Sequence, residues 1–217
     1  MKIGTSRVET FSDGVISIII TIMVLSLKLP DFKHDDTSLR MRHYLEELLP
    51  YFGAYAFSFM MIGIFWTNHH HMFHLLDRTN EILIWQNLFF LFWISLIPLV
   101  TAMVGANPKL SESIAVYGFV MLMTTLSFAF MRAYTLRKGL VHKADDKAMQ
   151  KKIYSVSLKA RTKSYAGVIA YLVSIPMAYV NIYLAYVFFI IPAIIFFIPD
   201  GIDDEQLAEK IIEKNNQ

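Results

Sequence analysis

The chain opens its first apolar run with the stretch Arg7-Val8-Glu9-Thr10-Phe11-Ser12-Asp13-Gly14, and this run continues to Leu27. An arginine and a carboxylate therefore stand at the mouth of an otherwise apolar helix. At the centre of a membrane helix such a residue costs about 2.5 to 3.5 kcal/mol, and less near its end. The stretch indicates either a hydrogen-bond network that holds several helices together or a pathway for ions.

The composition is that of a membrane protein. Of the 217 residues, 55% are hydrophobic and 14% are aromatic, which is too apolar for a soluble domain of this size. Nothing around Lys28 or Pro30 resembles a signal-peptide cleavage context, so we expect the first helix to be retained. The absence of cysteine excludes disulfides and thiolate metal sites. The sequence has no phosphate-binding glycine loop, nucleophile elbow or nucleic-acid module, so it predicts neither an enzyme, nor a cofactor, nor a nucleic-acid partner.

Hydrophobic runs predict an all-α membrane protein with six transmembrane helices. A spanning helix needs about 20 apolar residues. A final run over 165–198 would be about 51 Å long as one helix, against a hydrocarbon core of about 30 Å, so it must fold back, with the break around 179–182. Pro98, Pro176 and Pro192 lie inside spans, where a kink is tolerated. The predicted spans are 11–27, 48–67, 82–104, 113–134, 165–180 and 182–198; they form one channel domain over 1–199, followed by a short cytoplasmic tail over 200–217.

The basic residues orient these spans. Fifteen Lys and Arg side chains fall on the side of the two termini, in the N-terminus, the 68–81 loop, the 132–163 loop and the tail. The opposite side has five: Lys28, Lys33, Arg40, Arg42 and Lys109. The positive-inside rule therefore places both termini in the cytoplasm. The basic connection over 135–163 is either a helix on the inner leaflet or a solvated extension of its neighbours, and the second interpretation is favoured.

One face of the first helix is almost purely aliphatic. At about 100° per residue, its members fall within roughly 80° of one another. Ser12, Asp13 and Ser17 lie outside this face, so the carboxylate turns toward neighbouring helices. By itself, the face is more typical of packing against another helix or lipid. We call it the α1 stripe; it comprises Gly14, Ile18, Thr21, Ile22, Leu25 and Leu29.

The string Arg7-x-x-x-Phe11-Ser12-Asp13, followed by Ile18-x-x-Thr21-Ile22, closely resembles the prokaryotic homologues of the lysosomal potassium channel, the transmembrane protein 175 family. The six-span layout and the second-span motif Trp66-x-x-His69-His70 extend the resemblance. It implies a multi-pass protein of the cell (inner) membrane that forms a homotetramer and conducts potassium. The implied partners of each chain are the other copies of the chain, membrane lipids and potassium ions. The family lacks a carbonyl filter, and this chain likewise has no TVGYG-like segment.

The resemblance also assigns roles to residues. It implies that the first helix lines a central pore, with a hydrophobic constriction at Ile18, further apolar layers at Ile22 and Leu25, and a polar layer at Thr21. A ring of isoleucines gates by losing its water column. The remaining motif residues are implied to be architectural and to tie the start of the pore helix to the second and third spans; they are Arg7, Phe11, Ser12 and Asp13.

Four histidines, His69, His70, His71 and His74, follow Trp66 and Asn68 in the second span. Pairs three or four apart share a helix face and are potential zinc ligands. No Glu or Cys beside them completes a four-ligand site and HExxH is absent, so the sequence predicts no metal site. The favoured interpretation is that one or two of these histidines, with Asn68, hydrogen-bond to Ser12 or Asp13, and pH sensing stays open.

The leading hypothesis is a potassium-selective leak channel. The alternative is a proton-coupled secondary transporter that uses Asp13 and the His69–His74 cluster as a relay. Such transporters are typically built from inverted repeats, and the sequence shows no convincing repeat. A third possibility is a scaffold that only oligomerises.

Overall fold

The computed structural model describes residues 4–27, 38–141 and 147–197, and these residues form a helical bundle. Leu29, at the end of the predicted α1 stripe, and the predicted tail over 200–217 lie outside them. The helices are α1 (Thr5–Ile22), continued by a 3₁₀ turn (Met23–Ser26), α2 (Ser38–His74), α3 (Glu81–Ser95), α4 (Ile97–Ala106), α5 (Ser111–Arg137), α6 (Lys147–Val180) and α7 (Ile182–Phe197).

Among the residues that the structure describes, four helical segments are long and apolar enough to cross a membrane: Thr5–Leu25, Tyr44–His74, Glu81–Ala106 and Ser111–Arg137. The last apolar run is divided between α6 and the shorter apolar helix α7, with Asn181 at the break. The Asn181 side-chain oxygen accepts hydrogen bonds from the backbone N–H groups of Tyr183 (2.9 Å) and Leu184 (3.3 Å). Asn181 therefore caps α7, which explains why the chain turns at the most polar point of the run.

Pro98 coincides with a break in the third run, where the sequence analysis allows only for a kink. Helix α3 ends at Ser95 and α4 begins at Ile97, with Pro98 in the first turn of the new helix. A proline has no N–H and its ring crowds the carbonyl of the preceding turn, so it fits best where a helix starts. Pro176 and Pro192 lie inside α6 and α7, as does Pro50 inside α2.

Helix α5 is the centre of the bundle and α1 lies at its edge. Of the most apolar part of each segment, 72% of α5 is buried but only 28% of the first segment. Helix α5 packs against α3, α4, α6 and α7, whereas α1 packs against α2 and α3. A buried hydroxyl cluster adds polar contacts to this core, since Ser58 lies 2.7 Å from Thr101 and 2.9 Å from Tyr117. One face of α1 is thus left without a neighbour within the described chain.

The loops that follow α2 and α5 meet at one end of the bundle. The Leu76 and Val141 backbones pair in an antiparallel bridge, and the Asp77 N–H donates to the Leu140 carbonyl (2.9 Å). Gly139 ends α5 with a left-handed φ of 58°. From the connection predicted over 135–163, the residues from Lys147 onward belong to α6.

Candidate functional site on the first helix

Helix α1 has a buried face and an exposed face. Ser12, Ile16 and Ile19 are buried against α2 and α3. On the opposite side Ile18 is 61% exposed, Ile22 45% and Leu25 80%. The members of the α1 stripe that the structure describes thus lie on the face without a neighbour. The helical period explains the arrangement, because residues 18, 22 and 25 are separated by close to whole turns.

Thr21 and Gly14 complete the described part of this face. The Thr21 hydroxyl donates to the Ile18 carbonyl (2.9 Å), so its lone pairs remain available to a ligand outside the helix. Around Gly14, no heavy atom of the described chain outside the helix's own backbone lies within 4 Å of the position a Cβ would occupy, as expected for an open surface. Leu25 lies in the 3₁₀ turn rather than in α1 itself. The face is therefore aliphatic with a single hydroxyl between two isoleucines.

A buried hydrogen-bond chain joins α1, α3 and α2 behind this face. The Asn87 amide NH₂ donates to the Ser12 hydroxyl (2.8 Å), which in turn donates to the Val8 carbonyl (2.8 Å). The Asn87 side-chain oxygen lies 2.8 Å from His69 Nε2. Because this oxygen can only accept, His69 carries its proton on Nε2. The predicted link between the histidines and Ser12 thus runs through Asn87.

The His69 ring is held by aromatic side chains as well as by Asn87. It stacks on Phe73 and Phe90, with ring centroids 4.4 and 5.6 Å away. The whole side chain is buried, and its Nδ1 has no hydrogen-bond partner among the described residues. An apolar cage of this kind favours an uncharged imidazole. His69 is therefore placed as a structural donor that anchors Asn87.

Asp13 is bound by a different residue. The Trp66 indole N–H donates to Asp13 Oδ1 (2.9 Å), and the indole stacks on His70 with a centroid distance of 5.7 Å. Asp13 lies about 140° around α1 from Ile18, so it faces α2 and not the α1 stripe. Two motifs that the sequence analysis treats separately therefore form one contact between helices.

Asn68 faces away from the first helix. Its NH₂ donates to the Ile64 carbonyl (2.9 Å) and its oxygen accepts from Arg132 Nη2 (3.3 Å). Arg132 is buried, donates to the Ser164 hydroxyl (3.1 Å) and lies 4.7 Å above the Phe128 ring. The predicted bond from Asn68 to Ser12 or Asp13 is thus replaced by a contact among α2, α5 and α6. A buried arginine so close to the end of α5 was counted in the sequence as a loop charge.

Arg7 and Phe11, which the resemblance implies to be architectural, lie on the open side of α1. Arg7 is exposed and Phe11 is 54% exposed. Positions 7, 11 and 18 share one face at about 100° per residue, so both side chains continue the α1 stripe toward the N-terminus. In the part of the chain that the structure describes, the hydrogen bonds from these four residues to neighbouring helices are those of Ser12 and Asp13.

Glu9 brings a carboxylate to two of the histidines. Its Oε1 lies 3.2 Å from His70 Nδ1 and 3.8 Å from His74 Nε2. The Nε2 atoms of these two histidines are 3.0 Å apart. No Glu stands beside the histidines in the sequence, because Glu9 is far from them along the chain. The i, i+4 spacing of Glu9 and Asp13 places both carboxylates on the same side of α1. This spacing was the sequence signal that Glu9, like Asp13, faces the second span.

Asn87 was the other residue that sequence reasoning missed. It stands with Gln86 between long apolar runs in α3. An amide at that depth needs hydrogen-bond partners, so its position alone marks it as part of a polar network.

Comparison with known proteins gives a consistent result. Residues 7–98 match a family described as the endosomal/lysosomal potassium channel TMEM175. The chain is 34% identical over 203 residues to a potassium channel of Chryseobacterium sp., which covers 94% of this chain and 97% of that protein. It is 31% identical over 120 residues, 51% of this chain, to an endosomal/lysosomal proton channel TMEM175 of Danio rerio, of which it covers 22%.

The fold has a solved counterpart. A crystal structure of a lysosomal potassium-selective channel TMEM175 homolog from Chamaesiphon minutus superposes with a TM-score of 0.68 at 25% identity. The match covers 91% of this chain and 98% of that chain.

Proposed function

This chain belongs to the TMEM175 family, and on that premise we propose that it is a potassium-selective leak channel of the cell membrane, assembled from four copies around a pore lined by α1. The observation that carries the proposal is the exposed aliphatic face of α1. Its relatives include potassium channels, which favours potassium as the permeant ion, and the string from Arg7 to Asp13 lies within the residues that match the family.

The division of α1 into two faces supports a pore wall. The buried face is fastened to α2 and α3 by the Ser12–Asn87 and Trp66–Asp13 hydrogen bonds. Such bonds fix the rotation of the helix about its axis, so the stripe points in one defined direction. In a four-fold ring with α1 innermost, the α1 stripe faces the central axis of the pore. Asp13 lies behind the wall and takes no part in binding the ion.

The hydrophobic constriction is formed by Ile18, with Ile22 and Leu25 as further layers. A narrow apolar neck expels its water column, which closes the path to hydrated ions. Potassium gives up part of its hydration at a lower cost than sodium, so a dehydrating neck favours potassium. The Thr21 hydroxyls, one turn along, order the partly hydrated ion. No cofactor takes part.

The proposed topology has six spans, with both termini in the cytoplasm. It is supported by contacts at the two ends of the bundle. At one end, the start of α1 meets the end of α2 through Glu9, and the loops after α2 and α5 pair with each other. At the other, the Tyr186 hydroxyl at the start of α7 donates to the Pro108 carbonyl (2.7 Å), between α4 and α5. This alternation is expected if consecutive helices cross the membrane in opposite directions.

The second candidate is a proton-coupled secondary transporter that uses Asp13 and the His69–His74 cluster, and the relatives named as proton channels favour a role for protons. In a coupled transporter, net flux is slow and depends on a proton gradient, whereas a channel passes ohmic current without one. Planar-bilayer recordings of the purified protein at symmetrical pH distinguish the two. Potassium current without a proton gradient is expected.

The constriction is tested by Ile18→Asn. A polar ring keeps its water, so we expect larger currents and a reversal potential that moves toward zero under opposed potassium and sodium gradients. Ile20→Asn, on a different face of the same helix, is the matched control for a polar residue in α1. If Ile18→Asn channels kept the reversal potential of the unmodified protein, the selectivity barrier would lie elsewhere.

Thr21→Val tests the polar layer separately. The substitution keeps the shape of the side chain and removes the hydroxyl. We expect lower potassium preference with assembly intact, measured by the same reversal potentials and by gel filtration. Unchanged preference would remove Thr21 from the mechanism.

A further inference from the structure

Glu9, His70 and His74 form a compact group at the start of α1. One ligand atom from each lies within 4.8 Å of the other two. His70 and His74 are one turn apart on α2, so their imidazoles project from the same side, and Glu9 approaches them from α1. The side chains of Glu9, His70 and His74 are 18%, 35% and 45% exposed, so an ion can reach them from solution.

From this geometry we propose that Glu9, His70 and His74 bind a divalent zinc ion that clamps the first turns of α1 to the end of α2. Two imidazoles and one carboxylate are a ligand set that zinc accepts in proteins, with a water molecule at the open fourth position. Imidazole nitrogens also disfavour magnesium and calcium, which prefer oxygen ligands.

The spacing of the three groups suits such an ion. Zinc bonds of about 2.0 to 2.1 Å in a tetrahedron separate neighbouring ligand atoms by about 3.3 Å. Glu9 Oε1 lies 3.2 Å from His70 Nδ1 and 3.8 Å from His74 Nε2, and His74 Nε2 lies 3.0 Å from the other ring nitrogen of His70, Nε2. Because one imidazole gives one nitrogen to the ion, His70 binds through either Nδ1 or Nε2. The three ligand atoms lie within 4.8 Å of one another, and rotation of the imidazole rings brings them to the tetrahedral spacing.

The position of the group gives the ion its structural consequence. Glu9 lies about 180° around α1 from Ile18, so the ion binds behind the α1 stripe and outside the proposed ion path. Glu9 is one turn before Asp13, and His70 stacks on the Trp66 that binds Asp13. The ion therefore adds a second fastening between α1 and α2 beside the existing one. Neither the binding nor its test depends on the proposed channel activity.

Isothermal titration with zinc chloride tests the proposal on purified full-length protein that has been treated with a chelator and carries no histidine tag. We expect one ion per chain at this site. Glu9→Gln keeps the shape of the side chain and removes its charge. Loss of an outer-shell partner weakens metal binding by about 10- to 100-fold, and loss of a direct ligand should weaken it by more. His71→Gln, in the next residue to His70 and outside the group, should bind zinc as the unmodified protein does.

A thermal melt provides a second readout, since a ligand that binds only the folded state raises its melting temperature. Zinc should raise the melting temperature of the unmodified protein and of the His71→Gln variant. It should leave the melting temperature of the Glu9→Gln variant unchanged. If Glu9→Gln does not yield a monodisperse sample, X-ray absorption at the zinc edge of the unmodified protein tests the ligand set instead. Two imidazole ligands give a distinctive outer-shell scattering signal. Equal zinc affinity in Glu9→Gln, or a zinc shell without imidazole, would overturn the proposal.

Discussion

Asn87 is the residue on which the contact between α1, α2 and α3 depends. It donates to Ser12 and accepts from His69, and all three side chains are buried. The Ser12 hydroxyl donates its proton to the Val8 carbonyl, so it can only accept from Asn87. This fixes which atom of each pair is the donor. A chain of this kind leaves an orphaned donor wherever it is cut, and an orphaned buried donor costs about 1 to 3 kcal/mol.

Two substitutions at the residue scale should therefore differ in size. Asn87→Ala leaves the buried His69 N–H without a partner, so it should lower the melting temperature and the yield of assembled protein strongly. Asp13→Ala releases only the Trp66 N–H, which water can reach because Trp66 is partly exposed, so its effect should be smaller. Melting followed by gel filtration compares them. A stable Asp13→Ala assembly with altered selectivity would instead place this carboxylate in the ion path.

At the scale of elements, α5 ends in a motif that only glycine fits well. The Gly139 N–H donates to the Leu136 carbonyl (3.2 Å) and the Leu140 N–H to the Thr135 carbonyl (3.0 Å), as in a Schellman cap. This cap turns the chain toward Val141, which pairs with Leu76 after α2. The cap thereby joins two of the loops that the proposed topology sets in the cytoplasm.

Gly139→Ala should destabilise the protein by about 1 kcal/mol, because a Cβ disfavours the left-handed conformation. Gly53→Ala is the matched control. Gly53 lies inside α2, where no described residue comes within 4 Å of an added Cβ, and alanine is the better helix former there. The two substitutions should shift the melting temperature in opposite directions. A destabilised Gly53→Ala protein would show that this face of α2 is covered in the assembly.

The apolar runs predict the helices because hydrophobic length and polar breaks are local properties, as the division of α6 and α7 at Asn181 illustrates. The end of α3 before Pro98 was harder to predict, because a proline inside a run is compatible with either a kink or a new helix. The site was predicted in part. Ser12, Asp13, Trp66 and His69 were selected, but the pairing of Asp13 with Trp66 and the approach of Glu9 to His70 depend on how helices pack, which spacing along one helix does not contain.

At the scale of the whole molecule, one face of α1 has no neighbour within the described part of the chain. Its inward side chains are held by α2 and α3, while Phe11, Ile18 and Leu25 remain exposed. If α1 is innermost in a ring of four, these side chains face the equivalent side chains of other subunits. The α1 stripe is then covered by copies of itself, and the outer helices α6 and α7 face lipid.

Cysteine cross-linking tests this arrangement without background, because the chain has no cysteine of its own. Ile18→Cys and Leu25→Cys should each form disulfide-linked dimers under mild oxidation, since a closed neck brings equivalent residues within the about 7 Å between Cα atoms that a disulfide allows. Native mass spectrometry should find four copies of the 25.0 kDa chain. Ile194→Cys, exposed on α7, is the control and should stay uncross-linked. Dimers from Ile194→Cys alone would mean that α7 lies at the subunit contact and α1 faces lipid, and the proposed pore would then be wrong.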